Sequence, residues 1–500
     1  MPNQLFNQFM KKYVSLLIYL SILSGCNNPG GRTWMIPVTI DPSDLDYTPS
    51  AMESFEVRRD HLTDSLGDGY AILRSADQCS MNRHEFRPNN YFFYLTGYNA
   101  PGSYAVIGPD PGNRFTLSVP PQSIRTLIYE GSELPEEQIR ERYSPQKLIS
   151  YMESRVLIDS IVQSGATIYT DLSDRTFLDQ LQRIAGDDKN IRFRSIGELV
   201  DESRVFKDPS EVQYLQKACN ITAMALFKAM KDVKPDMYEF ETESVIEGTF
   251  LEYGSAMPGF ASIVGSGPNS TILHYEANTR KMEDGDLLLM DIGAEYGYYT
   301  ADITRTIPVN GRFSPEQRTI YQLVLDAQLA AIEQMKPGKM YTDGHMAAKD
   351  VIVKGLTDLG LITDPTSPWQ IKFYILYPSS HYLGLDVHDV GDMGGSFSQF
   401  MEQTPGESME SRVLEPGMVL TIEPGLYFRE QGLDQIYDIF KEEADSTEIE
   451  QFIETVRPVY EQYINTGVRI EDDILITTGG NINLSRYAPK EIEDIEQIMR

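Results

Sequence analysis

Along this chain apolar positions recur either at helical spacing or in short β-type runs, and the order of the two modes predicts two folded bodies. EVRRDHLTDSLGDGYAILRSA reads as an amphipathic helix, a Gly-Asp-Gly turn and a β-run, and RPNNYFFYLTGYNAPGSYAVIG continues that α/β pattern. Its aromatic run, Tyr91 to Tyr94, fits a core better than a ligand cage. Near Val205 the pattern restarts. Asp208-Pro209-Ser210-Glu211 offers an N-cap acid, proline at the first helical position and glutamate at the third. Val212, Leu215, Cys219, Thr222 and Leu226 then share one helix face. Ser314-Pro315-Glu316-Gln317 opens another helix in the same way and Lys336-Pro337-Gly338 closes it, so both helices are expected to cover the outside of a sheet. Between Tyr427 and Gly467, DQIYDIFKEEADSTEIEQFIETVRPVYEQYI reads as one or two acidic amphipathic helices inserted between strands, either a solvated face or part of a site rim.

The N-terminus follows a different rule. Lys11-Lys12 precedes an apolar stretch of 11 residues, Tyr13 to Leu23, too short for a mature helix that needs about 20 residues to span a bilayer. Residues 1–26 are therefore expected to be a signal peptide. Leu23-Ser24-Gly25-Cys26 resembles the bacterial lipobox, which implies cleavage before an acylated Cys26 and a lipid-anchored protein of the bacterial cell envelope, on its periplasmic or surface side. An ordinary cleaved signal with an incidental cysteine is the plainer reading. Residues 27–50, polar and rich in Gly, Pro and Asp, fit a tether. Positions 51–204 and 205–500 are then the two bodies, and 500 residues suffice for two or three cores.

Composition narrows the partners. Acidic residues outnumber basic ones 74 to 43, a net charge of −31, which argues against a nucleic-acid partner. With Cys26 lipidated, Cys79 and Cys219 fall in different bodies and are expected to be free thiols or buried small hydrophobes.

Candidate chemistry begins in a hairpin. Leu287 to Gly293 and Tyr298 to Thr306 are β-type runs with Tyr296-Gly297 between them as a two-residue turn. Residues equidistant from that turn are partners, so Asp291 and Asp302 are expected to face each other directly. Like charges about 4.5–5.5 Å apart destabilise a sheet, and a divalent cation reverses the sign. Two aspartates on a solvated strand face explain the hairpin alone as well. Three further segments place an acid or a histidine in a β-type run beside glycine or proline: His381 before Leu383-Gly384, Glu423 before Pro424-Gly425, and Glu471 after Gly467-Val468-Arg469-Ile470.

Here the chain resembles the metallopeptidase superfamily of methionine aminopeptidase, prolidase and aminopeptidase P. The ordered blocks VGSGPNSTILHYEAN, LLLMDIGAEYGYYTADITRTIPVNG, SSHYLGLDVHDVG, LEPGMVLTIEPGLY and GVRIEDDILIT look most like aminopeptidase P. The resemblance extends to the first body and implies an α/β N-terminal domain followed by an α+β "pita-bread" catalytic domain. It also implies a metal site of Asp291, Asp302, His381, Glu423 and Glu471 holding two divalent ions, most commonly Mn2+, with Asp302 and Glu471 as bridges. Oxygen-rich ligation with one imidazole suits such a metal. By the same resemblance Glu423 handles the proton of the attacking water, and His388 and His274 contact substrate or the developing tetrahedral centre. Arg469, Tyr427 and Phe260 fall on the substrate side. Taken alone, His274 and His388 would each read as a hydrogen-bonded structural histidine.

The chain also departs from that family. A histidine four residues before the ligand histidine is replaced by Tyr377, an acid of the aromatic segment by Tyr91, and a pocket tyrosine by Phe260. The leading expectation is an aminopeptidase acting on peptides with proline second, with association into a homo-oligomer left open. A prolidase is the nearest alternative. A creatinase-like amidinohydrolase is disfavoured because that branch works without these ligands, and a catalytically silent surface lipoprotein that binds peptides is the reading from outside enzymology.

Overall fold

The computed structural model describes position 36 and residues 49–500, apart from 78–85, 111, 121–122, 130, 132–133, 187–190, 404 and 407–408. The expected signal peptide, Cys26, nearly all of the tether and Cys79 lie outside the described residues. No helix among those described is long and apolar enough to cross a membrane.

The first body is one mixed sheet of six strands. β1 (Tyr70–Arg74) runs antiparallel to β2 (Tyr104–Ile107) and β2 to β3 (Phe115–Val119). β4 (Lys147–Ser150) joins β3 in parallel, while β5 (Thr167–Thr170) and β6 (Arg192–Ser195) extend the other edge, also in parallel. Helix Tyr151–Gln163 packs against it, and helix Pro49–Ser65 packs on helices Asn90–Thr96 and Gly197–Val205. The aromatic run forms a short helix, Asn90–Thr96, whose first N–H groups donate to the Asn89 side chain. Phe92, Phe93 and Tyr94 are buried as expected of core.

The second body opens with helix Pro209–Asp232, and the reciprocal capping box between Asp208 and Glu211 is formed. Leu215, Cys219, Thr222 and Leu226 are buried along its inner face. This cap is also the seam with the first body. The Arg58 guanidinium reaches Asp208 at 2.5 Å and Glu211 at 3.0 Å while lying over the Phe55 and Tyr94 rings. The predicted helix after Ser314 runs from Pro315 to Gln334 and pairs with helix Tyr341–Asp358.

The strands of this body pair antiparallel in short ladders. β7 (Ile263–Ser266), β8 (Leu287–Ile292) and β11 (Ile303–Pro308) form one sheet, with β9 (Glu295–Tyr296) and β10 (Tyr299–Thr300) as the hairpin tip between β8 and β11. β12 (Val419–Ile422) pairs with β15 (Asp472–Thr477), which pairs with β16 (Gly480–Asn483), and β13 (Gly425–Phe428) pairs with β14 (Thr466–Arg469). The acidic insertion between β13 and β14 is two helices, Gly432–Phe440 and Ser446–Tyr460. Its apolar side packs on helix Pro368–Tyr374, with Trp369 against Phe452 and Phe373 against Tyr460.

The hairpin register differs from the sequence expectation. The turn is Gly297-Tyr298, not Tyr296-Gly297, and both turn residues have positive φ, 58° and 70°, as a type I′ turn requires. Tyr296 and Tyr299 are cross-strand partners, both buried, packed on Tyr214. Burying that pair outweighs the strain of Tyr298 in the left-handed region, and the Tyr298 ring lands edge-on against Phe93. Asp291 therefore faces Thr304 rather than Asp302. Each partner has moved by two residues, so side-chain parity is kept and both aspartates stay on one face. Between β8 and the tip the ladder is pinched at Gly293, where a Cβ would sit 1.9 Å from the Ala301 carbonyl oxygen.

Candidate metal centre

Four of the five expected ligands come from breaks between strands or from just outside them rather than from within β-runs. Only Asp291 lies inside a strand, β8. Asp302 directly precedes β11, Glu423 separates β12 from β13, and Glu471 lies between β14 and β15. His381 lies outside every strand, against the expectation of a β-run, although its neighbour Tyr382 bridges to Leu420. Interrupting a ladder frees the side chain to turn inward while nearby backbone stays paired: the Glu471 N–H donates to Thr304 O, and the Glu423 N–H to Ser379 O.

Within this set, ligand atoms of Asp302, His381 and Glu471 all lie within 4.8 Å of one another. His381 Nε2 is 3.3 Å from Asp302 Oδ2 and 3.6 Å from Glu423 Oε1. Its other nitrogen, Nδ1, is 3.0 Å from the Tyr382 carbonyl oxygen and must donate to it, which leaves the Nε2 lone pair aimed at carboxylates. Burial, reinforced by His388, pushes the His381 pKa down to about 4 despite the acids around it, so the ring is neutral. Asp291 Oδ1 is buried without a hydrogen-bond partner. Acceptors facing acceptors in a buried pocket fit a bound cation and fit little else.

Electrostatics say the same. Burial pushes Glu423 up to about 8, more than the Arg469 charge pulls it back. Asp302 and Glu471 are raised well above the ordinary carboxylate range, by burial first and then by the neighbouring carboxylates. Without cations the cluster must hold protons that the unfolded chain has already released. Folded protein then binds more protons than unfolded protein, so metal-free stability falls as pH rises from about 4.5 toward about 8. Bound ions replace those protons. The gap in Tm between metal-loaded and chelated protein is expected to widen across that range by on the order of 5 °C or more. Scanning calorimetry of both forms at several pH values checks this, and a gap independent of pH contradicts it.

The surroundings fix the ligands. Thr304 Oγ1 donates to Glu471 Oε2 at 2.7 Å, and Arg305, fully buried against Asp472, donates to the Glu471 carbonyl. The Arg469 guanidinium reaches three ways: Nη2 to Asp291, Nε to Thr304 Oγ1 and Nη1 to Tyr427 OH. From there the chain of donors continues. Tyr427 OH lies 2.7 Å from Tyr377 OH, which donates to the Glu423 carbonyl at 3.1 Å. Tyr377 thus joins the hydrogen-bonded frame of the centre. Sequence reasoning marked Tyr377 only as a departure and missed Thr304 and Asp473. Asp473, which accepts from the Asp302 N–H and from Cys219 Sγ, is pushed up to about 8 by burial. Its only sequence signal is that it is the third acid in the run Glu471-Asp472-Asp473.

Of the expected substrate-side residues, Arg469 and Tyr427 are buried in the frame of the ligands, while two histidines lie nearer solvent. The His388 ring lies 4.4 Å from that of His381, and both His388 and His274 are exposed. Burial and then the proximity of His274 lower the His388 pKa. Phe260 packs over Gly293, where a Cβ would approach its ring to 2.7 Å. Tyr91 bonds Asp201 at 2.8 Å and lies against Arg204, away from the ligands.

Comparison with known proteins covers both bodies. Residues 213–478 match the model of metallopeptidase family M24, and residues 55–169 match that of the aminopeptidase P N-terminal domain. A Xaa-Pro aminopeptidase of Haemophilus influenzae is 34% identical over 463 residues, covering 89% of this chain and 97% of the relative. One of Escherichia coli is 33% identical over 474 residues with the same coverage. Among solved structures, proline aminopeptidase P II from Yersinia pestis superposes with a TM-score of 0.75 at 31% identity, covering 90% of this chain and 99% of that one. Aminopeptidase P from E. coli gives 0.74 at 32% identity, covering 90% and 98%.

Proposed function

We propose that this chain, which belongs to metallopeptidase family M24 and carries the aminopeptidase P N-terminal domain ahead of it, is a metal-dependent Xaa-Pro aminopeptidase that hydrolyses the N-terminal peptide bond before proline. The observation that carries the chemistry is the His381 Nε2 lone pair set against the carboxylates of Asp302, Glu423 and Glu471, with Asp291 Oδ1 left buried without a partner. The substrate class rests on relatives that match nearly end to end and are named for that activity.

Asp291, Asp302, His381, Glu423 and Glu471 would hold two divalent ions, and Mn2+ suits the oxygen-rich donor set. When bound, such ions supply Lewis acidity to the scissile carbonyl and acidify the attacking water. Glu423 takes the water's proton on a carboxylate oxygen, and its orientation is held by the bond from Tyr377 to its carbonyl. Arg469 keeps Asp291 aligned and aims Tyr427. His388, exposed beside His381, and His274, exposed and close enough to His388 to lower its pKa, donate to the substrate carbonyl as charge develops on it.

A dipeptidase restricted to Xaa-Pro has less support, because the N-terminal domain matches that of aminopeptidase P and the near full-length relatives carry the aminopeptidase name. Release of the first residue from a Xaa-Pro-Xaa tripeptide, compared with a Xaa-Pro dipeptide, separates the two.

The location is a separate proposal, supported by the sequence Leu23-Ser24-Gly25-Cys26 after a short apolar stretch. Cys26 is acylated and anchors the protein to the cell envelope. Cys26→Ser is expected to release the protein from the membrane fraction with kcat unchanged, since every expected metal ligand lies between Asp291 and Glu471, far from it in sequence. A wild-type protein that takes up no fatty-acid label, or whose mature N-terminus lies elsewhere, contradicts this.

A further inference from the structure

The segment carrying His388 is gripped from outside the metal centre. Helix Gly197–Val205 ends the first body, and its Arg204 reaches Asp386 at 2.8 Å and Asp389 at 2.5 Å through Nη2. Lys207, in the link to the second body, takes the other Asp389 oxygen at 3.0 Å. Arg204, Lys207 and Asp389 have side chains no more than 2% exposed, so these ion pairs are shielded from water and salt. Asp386 and Asp389 flank Val387-His388, and the fixed span between them limits where the imidazole points. Inside the loop the restraint continues. The Tyr382 carbonyl accepts from both the Asp389 N–H and His381 Nδ1. At Gly384 a Cβ would lie 2.0 Å from Asp389 Oδ2, so the loop backbone closes directly on that carboxylate.

We propose that Arg204, with Lys207 beside it, is a positioning residue for catalysis, holding Asp386 and Asp389 so that His388 meets the substrate carbonyl. The first body thereby contributes to turnover without touching substrate. This rests on the reading of His388 as a substrate-contacting group. Both carboxylates are met by the one Nη2 atom at the end of the long guanidinium arm, while Nε is unpaired among the described residues, so a lysine ammonium on its shorter stem reaches the two less closely. Misplacing a reacting group by about 1 Å costs on the order of 10²-fold in rate.

Arg204→Lys keeps the buried charge, and Asp386→Asn alters the more exposed partner, so both are expected to fold. Each is made in the wild type and in His388→Ala, with kcat, KM, bound metal and Tm measured. In the wild-type background Arg204→Lys is expected to lower kcat by about 10- to 100-fold, with KM and metal content nearly unchanged, and Asp386→Asn to lower it less. In His388→Ala neither is expected to lower kcat further. Losses that multiply in the double variants, metal loss in step with kcat, or wild-type kcat in both single variants would overturn the proposal. His388→Ala with wild-type kcat would instead overturn the reading of His388, and this inference with it.

Discussion

Glu423→Gln is expected to abolish nearly all peptide hydrolysis, by on the order of 10³-fold or more, and to lower metal occupancy at the same time. The amide is neutral and binds a cation more weakly than a carboxylate, and it takes no proton. The protein should still fold. Glu423 is held at 14% side-chain exposure with its pKa raised, so replacing a carboxylate that burial already penalises relieves desolvation rather than adding to it. Metal analysis with a tripeptide assay checks both halves of the expectation. A Glu423→Gln protein with full metal and wild-type turnover would remove this residue from the chemistry.

His388→Ala is expected to fail differently. Its ring lies beside His381 but is exposed at the rim, so removal leaves the ligand atoms of Asp302, His381 and Glu471 where they are. Metal content and Tm should stay at wild-type values while kcat drops by about 10²- to 10³-fold, the usual worth of a donor aimed at developing charge. Loss of metal in this variant, or wild-type kcat, would show that the histidine has another role.

What the sequence made legible follows from the range over which each force acts. Helix starts at Asp208 and Ser314 were readable because caps and first turns are decided by adjacent residues. The burial of Phe92 to Tyr94 followed from their size. The hairpin was read in outline, but its turn is set by where Tyr296 and Tyr299 find Tyr214, a residue some eighty positions away, and no local rule weighs that contact. The strand breaks at Glu423, Glu471 and Asp302 were invisible for a similar reason, since they arise where separate ladders meet. Tyr377 shows the limit most plainly. In the sequence it was only a missing histidine, while its place in the line from Arg469 through Tyr427 to Glu423 depends on three segments brought together by the fold.

One buried centre, filled by two divalent ions, is proposed to cleave the bond before proline. The most direct measurement is release of the N-terminal residue from a Xaa-Pro-Xaa tripeptide by chelated protein as a divalent metal is titrated back. No turnover is expected in the chelated protein, then a rise with added metal and a plateau at about two ions per chain. Turnover that persists after complete chelation, or none at all once two ions are bound, would contradict it.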